Sequence, residues 1–325
     1  RGSSEGSGDD RKEKAQVYLI NPSGGEAWRL SDSKTAISSF EWSTDGKRIA
    51  YLASDTLSAQ DEKDQKEKND AKVVDEKFQM SHIWVIDVNS KKVNRRTGGS
   101  FSVDNLSWSP DSKWLTFSAR PTPKVPDNFK TDVYVVSADS GDAKKIVDRP
   151  GPDSNPRFSP DGRMIAFTSM DGKPDDWIAN TNLCLVPASG GAITNLSKSF
   201  DENVGTFKWS PDGKTIYFQS TMKTAGHLFA LSVDSKQVRQ MTSGEDSYGP
   251  FSFSSDFKKT VFLKQNPSTP PDLHIADLTS MTPTKLTSLN PQLKDISLAT
   301  GEVLRWKGTD GMEIEGVLIK PVGYE

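Results

Sequence analysis

A short motif repeated five times, an apolar strand pattern that follows each copy, and a second strand pattern that occurs six times predict an all-β fold. The fold expected from these repeats is a β-propeller of six to seven four-stranded blades. Blades stack side by side because a single four-stranded sheet cannot bury both of its faces. The chain has 325 residues, which is enough for one large domain of this kind.

The repeated motif reads aromatic-Ser-x-Asp-x-basic. It occurs at residues 42–47, 108–113, 158–163, 209–214 and 253–258. The intervals between successive serines are 66, 50, 51 and 44 residues, and periods of about 40 to 50 residues are typical of propeller blades. In its fullest form, Ser-Pro-Asp-Gly, the motif predicts a tight turn, because Pro presets φ, Asp bonds the turn backbone and Gly accepts a positive φ.

A period-two strand is predicted after each turn. Six positions beyond the motif serine stand Ile49, Leu115, Ile165, Ile216 and Thr260, and eight positions beyond it stand Tyr51, Phe117, Phe167, Phe218 and Phe262. The same strand face is therefore almost uniformly apolar in every unit, as expected for a buried strand.

A third strand is predicted at 17–20, 83–86, 133–136, 183–186, 228–231 and 273–276, and a short fourth strand follows each of them. The first unit contains only its third and fourth strands. We therefore expect its first two strands to precede Arg1 or to come from other residues. Six blades are counted, and a seventh is left open.

The long connections are predicted to gather at one end of the propeller. In an up-and-down blade, the connection between the second and third strands lies at the same end of the propeller as the link to the next blade. These connections include the long segments 55–80, 121–130 and 170–181. Long loops on a rigid scaffold are a common location for function. The charged stretch 55–76 is interpreted as a solvated insertion rather than a binding tail.

Composition excludes several classes of function. With 41 basic and 44 acidic residues, the chain has no general basic field, so nucleic acid is not an expected partner. No apolar run approaches the roughly 18 to 20 residues of a membrane span, so a soluble chain is expected, in the cytoplasm or as a periplasmic or secreted protein. The only cysteine, Cys184, excludes an internal disulfide and a thiolate-rich metal site.

Several apparent chemical groups are assigned to the scaffold. His82 and His227 precede third strands, where other units carry polar residues, while His274 and Cys184 fall in register with packing residues. The motif aspartates are turn residues, so no metal or other cofactor is expected. Ser4 matches the G-x-S-x-G pattern but lacks the strand and helix that this nucleophile requires.

The repeats, the insertion at 170–186 and the tail at 301–321 resemble the S9 (prolyl oligopeptidase) family of serine peptidases. The likeness covers nearly the whole chain and is closest to the branch of dipeptidyl peptidase 5-like enzymes and acylaminoacyl peptidases. The Ser-Pro-Asp-Gly units alone are less specific, because the TolB propeller shares them. The tail breaks the blade pattern and predicts a hairpin about Asp310-Gly311, similar to the strands that open the hydrolase domain of this family.

The resemblance implies a propeller at residues 1–290, a linker with the first hydrolase strands at 291–325, and an α/β-hydrolase domain after them. No catalytic residue is expected in this chain. The parent enzyme would release dipeptides or acylated or free amino acids from peptide N-termini, and the propeller would admit only short peptides. Homo-oligomerisation is left open. The alternatives are a TolB-like, non-enzymatic binding propeller and, less favoured, a propeller hydrolase with its active site in the pore.

An exopeptidase that accepts free N-termini must bind an α-ammonium group, for which carboxylates at the long-loop end are suitable partners. The candidates at that end are Glu76, Asp153, Glu202 and Glu245, and Trp177 is a further candidate for substrate contact. These five residues form the predicted substrate-binding set.

Overall fold

The computed structural model describes residues 14–69, 76–173 and 179–324. Trp177 and Ser4 lie outside this part of the chain. The described residues form five four-stranded antiparallel sheets, one two-stranded sheet and a C-terminal hairpin. The two-stranded sheet consists of the third and fourth strands predicted for the first repeat unit.

The two-stranded sheet is blade 1 and the complete sheets are blades 2 to 6. Blade 1 contains β1 (Tyr18–Leu19) and β2 (Trp28–Arg29). Blade 2 contains β3 (Ile37–Trp42), β4 (Arg48–Ser54), β5 (Ser81–Asp87) and β6 (Val93–Arg95). Blade 3 contains β7 (Ser102–Trp108), β8 (Trp114–Arg120), β9 (Asp132–Ser137) and β10 (Lys144–Lys145). Blade 4 contains β11 (Asp153–Phe158), β12 (Met164–Ser169), β13 (Asn182–Pro187) and β14 (Thr194–Asn195).

Blade 5 contains β15 (Phe207–Trp209), β16 (Thr215–Met222), β17 (Ala225–Ser232) and β18 (Val238–Gln240). Blade 6 contains β19 (Ser247–Phe253), β20 (Lys259–Asn266), β21 (Thr269–Asp277) and β22 (Thr284–Lys285). The hairpin contains β23 (Thr300–Lys307) and β24 (Glu313–Lys320). In every complete blade the strands follow one another in chain order across the sheet. This up-and-down order confirms the predicted propeller fold.

The chain divides into two compact units. Among the described residues, unit 1 contains 14–69, 76–173, 179 and 184–194, and unit 2 contains 180–183 and 195–324. Blades 1 to 3 belong to unit 1, blades 5 and 6 and the hairpin belong to unit 2, and the boundary passes through β13 and β14 of blade 4.

The apolar positions predicted after each motif form the core between blades. Of the ten residues six and eight places beyond the motif serines, all have an exposed fraction of 2% or less. In unit 1, for example, Ile49 and Tyr51 of blade 2 pack with Val17 and Leu30 of blade 1. Burial of a large apolar side chain stabilises a fold by about 1.5–3 kcal/mol, so these repeated positions account for much of the stacking energy.

The motif turn has the same hydrogen bonds in all five copies. In blade 4, Ser159 Oγ donates to Asp161 Oδ1 (2.5 Å) and accepts from the backbone N–H of Met164 (3.0 Å). Asp161 Oδ1 also accepts from the backbone N–H of Arg163 at 3.0 Å. The hydrogen bond from Ser159 and that from the backbone of Arg163 lower the pKa of Asp161. The carboxylate is thus occupied within its own turn, which agrees with a structural role for the motif aspartates.

His82 and His227 occupy matching scaffold positions. The Nδ1 atom of His82 lies 3.3 Å from Thr97 Oγ1, and that of His227 lies 3.2 Å from Thr242 Oγ1. Each threonine hydroxyl also accepts the backbone N–H of the residue that follows the histidine. Burial lowers the pKa of both imidazoles, which keeps them neutral at neutral pH. Burial also raises the pKa of the Cys184 thiol to about 11, so this cysteine is a packing residue.

The charged insertion contains a short helix that the sequence pattern did not predict, α1 (Ala59–Lys66). Ser58 Oγ accepts the backbone N–H of Asp61 and donates to its carboxylate, as an N-cap does. Lys77 Nζ lies 2.6 Å from Asp61 Oδ1 and joins the end of the insertion to the helix. The capping serine and the acidic first turn explain the helix, which has no apolar face to reveal it by periodicity.

Candidate functional site

The inner face of unit 1 is formed by the first strands of blades 2, 3 and 4, because β7 contacts both β3 and β11. In a propeller such strands line the central channel. The residue that precedes the motif aromatic on each strand is Glu41, Ser107 or Arg157. The structure brings these three polar side chains together.

Glu41 is the centre of this group. Its Oε2 lies 3.2 Å from Arg157 Nη1, and Ser107 Oγ lies 3.4 Å from its Oε1. Arg157 Nη1 also donates to the backbone oxygen of Leu106 at 2.9 Å. Burial raises the pKa of Glu41, and the charge of Arg157 opposes this shift. The result is a half-buried carboxylate and guanidinium on the channel side of the blades.

A second ion pair lies closer to the long-loop end of blade 3. The register of β7 against β8 shifts between Val103 and Asn105, so Asp104 is the extra residue of a β-bulge. Bulges redirect side chains and occur often near functional sites. Asp104 Oδ1 lies 3.1 Å from Arg120 Nη2. Burial raises the pKa of Asp104 against the effect of Arg120.

Arg120 retains unused hydrogen-bonding capacity. Its Nε atom is buried and has no hydrogen-bond partner among the described residues. Asn105, next to the bulge, donates from Nδ2 to Asn155 Oδ1 at 3.2 Å, and Asn155 lies at a bulge in β11. The inner face of unit 1 therefore carries several paired polar groups, and Arg120 Nε is a buried N–H among them without a hydrogen-bond partner in the described part of the chain.

The predicted carboxylates occupy different environments. Glu76 is exposed in the connection that leads to β5, and Glu202 is half-buried in the connection between β14 and β15. Asp153 is fully buried, and its Oδ1 lies 3.2 Å from Arg149 Nη2. Glu245 is exposed and lies 3.0 Å from Arg305 Nη2 of the hairpin. Glu76 and Asp153 belong to unit 1, and Glu202 and Glu245 belong to unit 2. Their role in substrate binding stays a prediction.

Sequence reasoning missed Glu41, Asp104, Arg120 and Arg157. The register of the motif could have identified two of them, since the position before the motif aromatic is polar in every blade. The bulge that redirects Asp104 has no comparable signal, because its position depends on how β7 pairs with β8.

The hairpin predicted about Asp310-Gly311 lies against blades 5 and 6 of unit 2. Lys223 Nζ, in the β16–β17 turn, lies 2.6 Å from Glu313 Oε1, and Thr224 Oγ1 donates to Glu315 Oε1 at 2.9 Å. Arg305 of β23 pairs with Glu245. The hairpin is thus joined to the ends of two blades by charged and polar contacts.

Within the described ranges, no group of three or more His, Cys, Asp and Glu side chains could hold a metal ion. Helices long and apolar enough to cross a membrane are likewise not found in this part of the chain.

The repeated sheets, the polar inner face and the docked hairpin define the protein as a β-propeller with an appended hairpin. Residues 55–174 match the family described as "Dipeptidyl peptidase IV (DPP IV) N-terminal region". The chain is 29% identical to dipeptidyl-peptidase 5 of Porphyromonas gingivalis over 231 residues, which are 69% of this chain and 33% of that protein.

Two solved structures are similar in fold. Acylaminoacyl peptidase of Pyrococcus horikoshii has a TM-score of 0.69 and 18% identity, covering 94% of this chain and 47% of that one. TolB of Acinetobacter baumannii has a TM-score of 0.54 and 19% identity, covering 84% and 60%. The chain spans a third to a half of the length of these peptidases. The matches confirm the predicted resemblance to the dipeptidyl peptidase 5-like branch of the S9 peptidases, in their N-terminal propeller.

Proposed function

We propose that this chain is the substrate-gating propeller portion of a serine exopeptidase that releases dipeptides or acylated or free amino acids from peptide N-termini. Its catalytic serine, histidine and aspartate would lie in an α/β-hydrolase domain that follows the propeller. In that domain the serine attacks the peptide carbonyl, the histidine takes its proton, and an oxyanion hole stabilises the intermediate. The residues of this chain would restrict and orient the substrate.

The observation that carries the proposal is the hairpin formed by β23 and β24. It lies outside the blade repeat and is anchored to blades 5 and 6 through Lys223 and Glu245. Apolar side chains remain exposed along it, at Leu304, Trp306, Ile314, Leu318 and Ile319. Exposed apolar surface of this kind is typical of an interface. We propose that the hydrolase domain covers it.

The TolB-like alternative is supported by the similarity of fold alone. A non-enzymatic propeller would use its polar inner face to hold a protein partner. The hairpin favours the peptidase, because a blade-only propeller does not require strands outside the repeat.

The proposal is tested by comparing the 325-residue chain with the complete product of its gene. We expect the complete product to hydrolyse dipeptidyl or acylaminoacyl chromogenic substrates and to be inactivated by a serine-directed phosphonate. The 325-residue chain should show no hydrolysis under the same conditions. A complete product without hydrolytic activity on either substrate class would refute the peptidase and support the binding propeller.

Within this proposal, carboxylates of the propeller bind the substrate α-ammonium group. The candidates are Glu76, Asp153, Glu202 and Glu245, together with Glu41 and Asp104 from the inner face. In the complete enzyme, replacing the relevant Glu by Gln or Asp by Asn should raise KM for substrates with a free N-terminus about tenfold or more, since a charge-assisted hydrogen bond is worth about 1.5–3 kcal/mol. N-acetylated substrates are the control and should be unaffected. Unchanged KM in all six variants would contradict this assignment.

A further inference from the structure

The interface of blades 5 and 6, within unit 2, contains an open cleft of about 100 Å³. The side chains that face it include Lys208, Tyr217 and Gln219 from blade 5 and Phe251 and Phe253 from blade 6.

The cleft results from a substitution within the repeat. Seven positions beyond the motif serine, blades 2, 3 and 4 carry the fully buried small residues Ala50, Thr116 and Ala166. Blade 5 carries Tyr217 at this position, and its ring centroid lies 5.5 Å from that of Phe253 in blade 6. The gap lies beside β15. In blades 2 to 4 the first strand of each blade contacts the first strand of the next, whereas β19 of blade 6 contacts mainly β16 and β17 of blade 5.

Polar groups at the cleft define what it can bind. Lys208 is exposed, and its ammonium group lies within ion-pair distance of no carboxylate among the described residues; its recorded contact is with the ring of Phe257 at 6.0 Å. The Gln219 side chain fills the space above Gly249, where a Cβ atom would lie 2.4 Å from Gln219 Nε2. The cleft therefore combines apolar walls with one cation and one amide, and its lining contains no acidic residue.

We propose that this cleft binds the C-terminal residue of a peptide when that residue is aromatic. The ring would lie between Tyr217 and Phe251, the carboxylate would pair with Lys208, and the last peptide group would contact the Gln219 amide. A closed apolar cavity of about 150 Å³ holds benzene. This cleft of about 100 Å³ is smaller but open to solvent, so it can receive part of a phenyl ring while the rest of the ring stays outside. The choice of a peptide rests on the proposed function, while the preference for an apolar anion follows from the lining residues.

The test is a ligand-observed NMR titration of the 325-residue chain with N-acetyl-Ala-Ala-Phe. We expect saturable binding with a Kd on the order of 1 mM, a level at which a ring and a single ion pair are sufficient. The C-terminal amide of this peptide should bind at least fivefold more weakly, and N-acetyl-Ala-Ala-Ala should not bind measurably. Absence of saturable binding to the folded chain would overturn the proposal.

Variants separate the contributions of the two sides of the cleft. Phe251→Ala should weaken binding at least tenfold, and Phe251→Leu, which keeps an apolar side chain, should weaken it less. Lys208→Gln should reduce the affinity for the carboxylate peptide to that for the amide, without changing the amide affinity. The matched controls are Phe40→Ala, at the same position in the first strand of blade 2, and Lys214→Gln, in the motif turn of blade 5.

Equal binding in the cleft variants and the controls would exclude this cleft as the site. Because no hydrolysis is measured, that result would leave the peptidase proposal unaffected. Conversely, the complete gene product could prove inactive while the 325-residue chain still binds the peptide in the cleft. That result would support the binding site and contradict only the proposed peptidase activity.

Discussion

Asp153→Ala is expected to lower the free energy of unfolding by about 3 kcal/mol, the lower end of the cost of breaking a buried pair, because it removes the buried carboxylate that faces the partly buried Arg149 guanidinium. The Asp153 side chain is fully buried, and both of its oxygens face Arg149, with Nε–Oδ2 at 3.3 Å and Nη2–Oδ1 at 3.2 Å. Arg149 also donates to Ser169 Oγ at 2.6 Å. Burial raises the pKa of Asp153, and the hydrogen bonds from Ser169 and Arg149 oppose this shift. The intact pair adds little net stability, but its disruption is costly.

Urea denaturation followed by tryptophan fluorescence measures this change. Asp171→Ala is the matched control, since Asp171 Oδ1 lies 3.3 Å from Nη1 of the same arginine but is 36% exposed. An exposed ion pair of this kind contributes at most about 1 kcal/mol to the free energy of unfolding. A loss below about 1 kcal/mol for Asp153→Ala would show that Arg149 does not depend on this carboxylate.

Phe117→Ala is the second large expected effect, with a loss of about 3–5 kcal/mol in the free energy of unfolding. The Phe117 ring is fully buried and stacks against Tyr134 with centroids 5.2 Å apart, and against Phe101 at 6.2 Å. Its removal leaves a cavity between blades 2 and 3, where the surrounding strands are held by their hydrogen-bonded register and can relax only in part.

The control for Phe117 is Trp114→Ala in the same strand, where the side chain is 46% exposed. We expect a smaller loss there, about 1–2 kcal/mol, because nearly half of the side chain stays in water and its removal leaves no closed cavity. The same urea titration measures both variants. If Phe117→Ala and Trp114→Ala lowered the urea concentration at the unfolding midpoint by the same amount, the eighth position beyond the motif serine would not be a core position.

The candidate site could be predicted only in part. The long-loop carboxylates followed from strand parity, but the structure shows that Asp153 is paired with Arg149 and that Glu245 is paired with Arg305. Neither partner is identifiable from sequence spacing. Glu41 and Arg157 are 116 residues apart, and their contact depends on how three blades stack.

The amino-acid sequence by itself determined the blades of this protein. Turn chemistry and period-two apolarity are local, so the motif serine and the residues six and eight places beyond it define the turn, the strand and the buried face without reference to the rest of the chain. Tertiary structure alone decided which polar groups meet. The bulge at Asp104, the ion pair of Glu41 and the space beside Tyr217 between blades 5 and 6 each depend on contacts between strands distant in sequence, which local pattern does not encode.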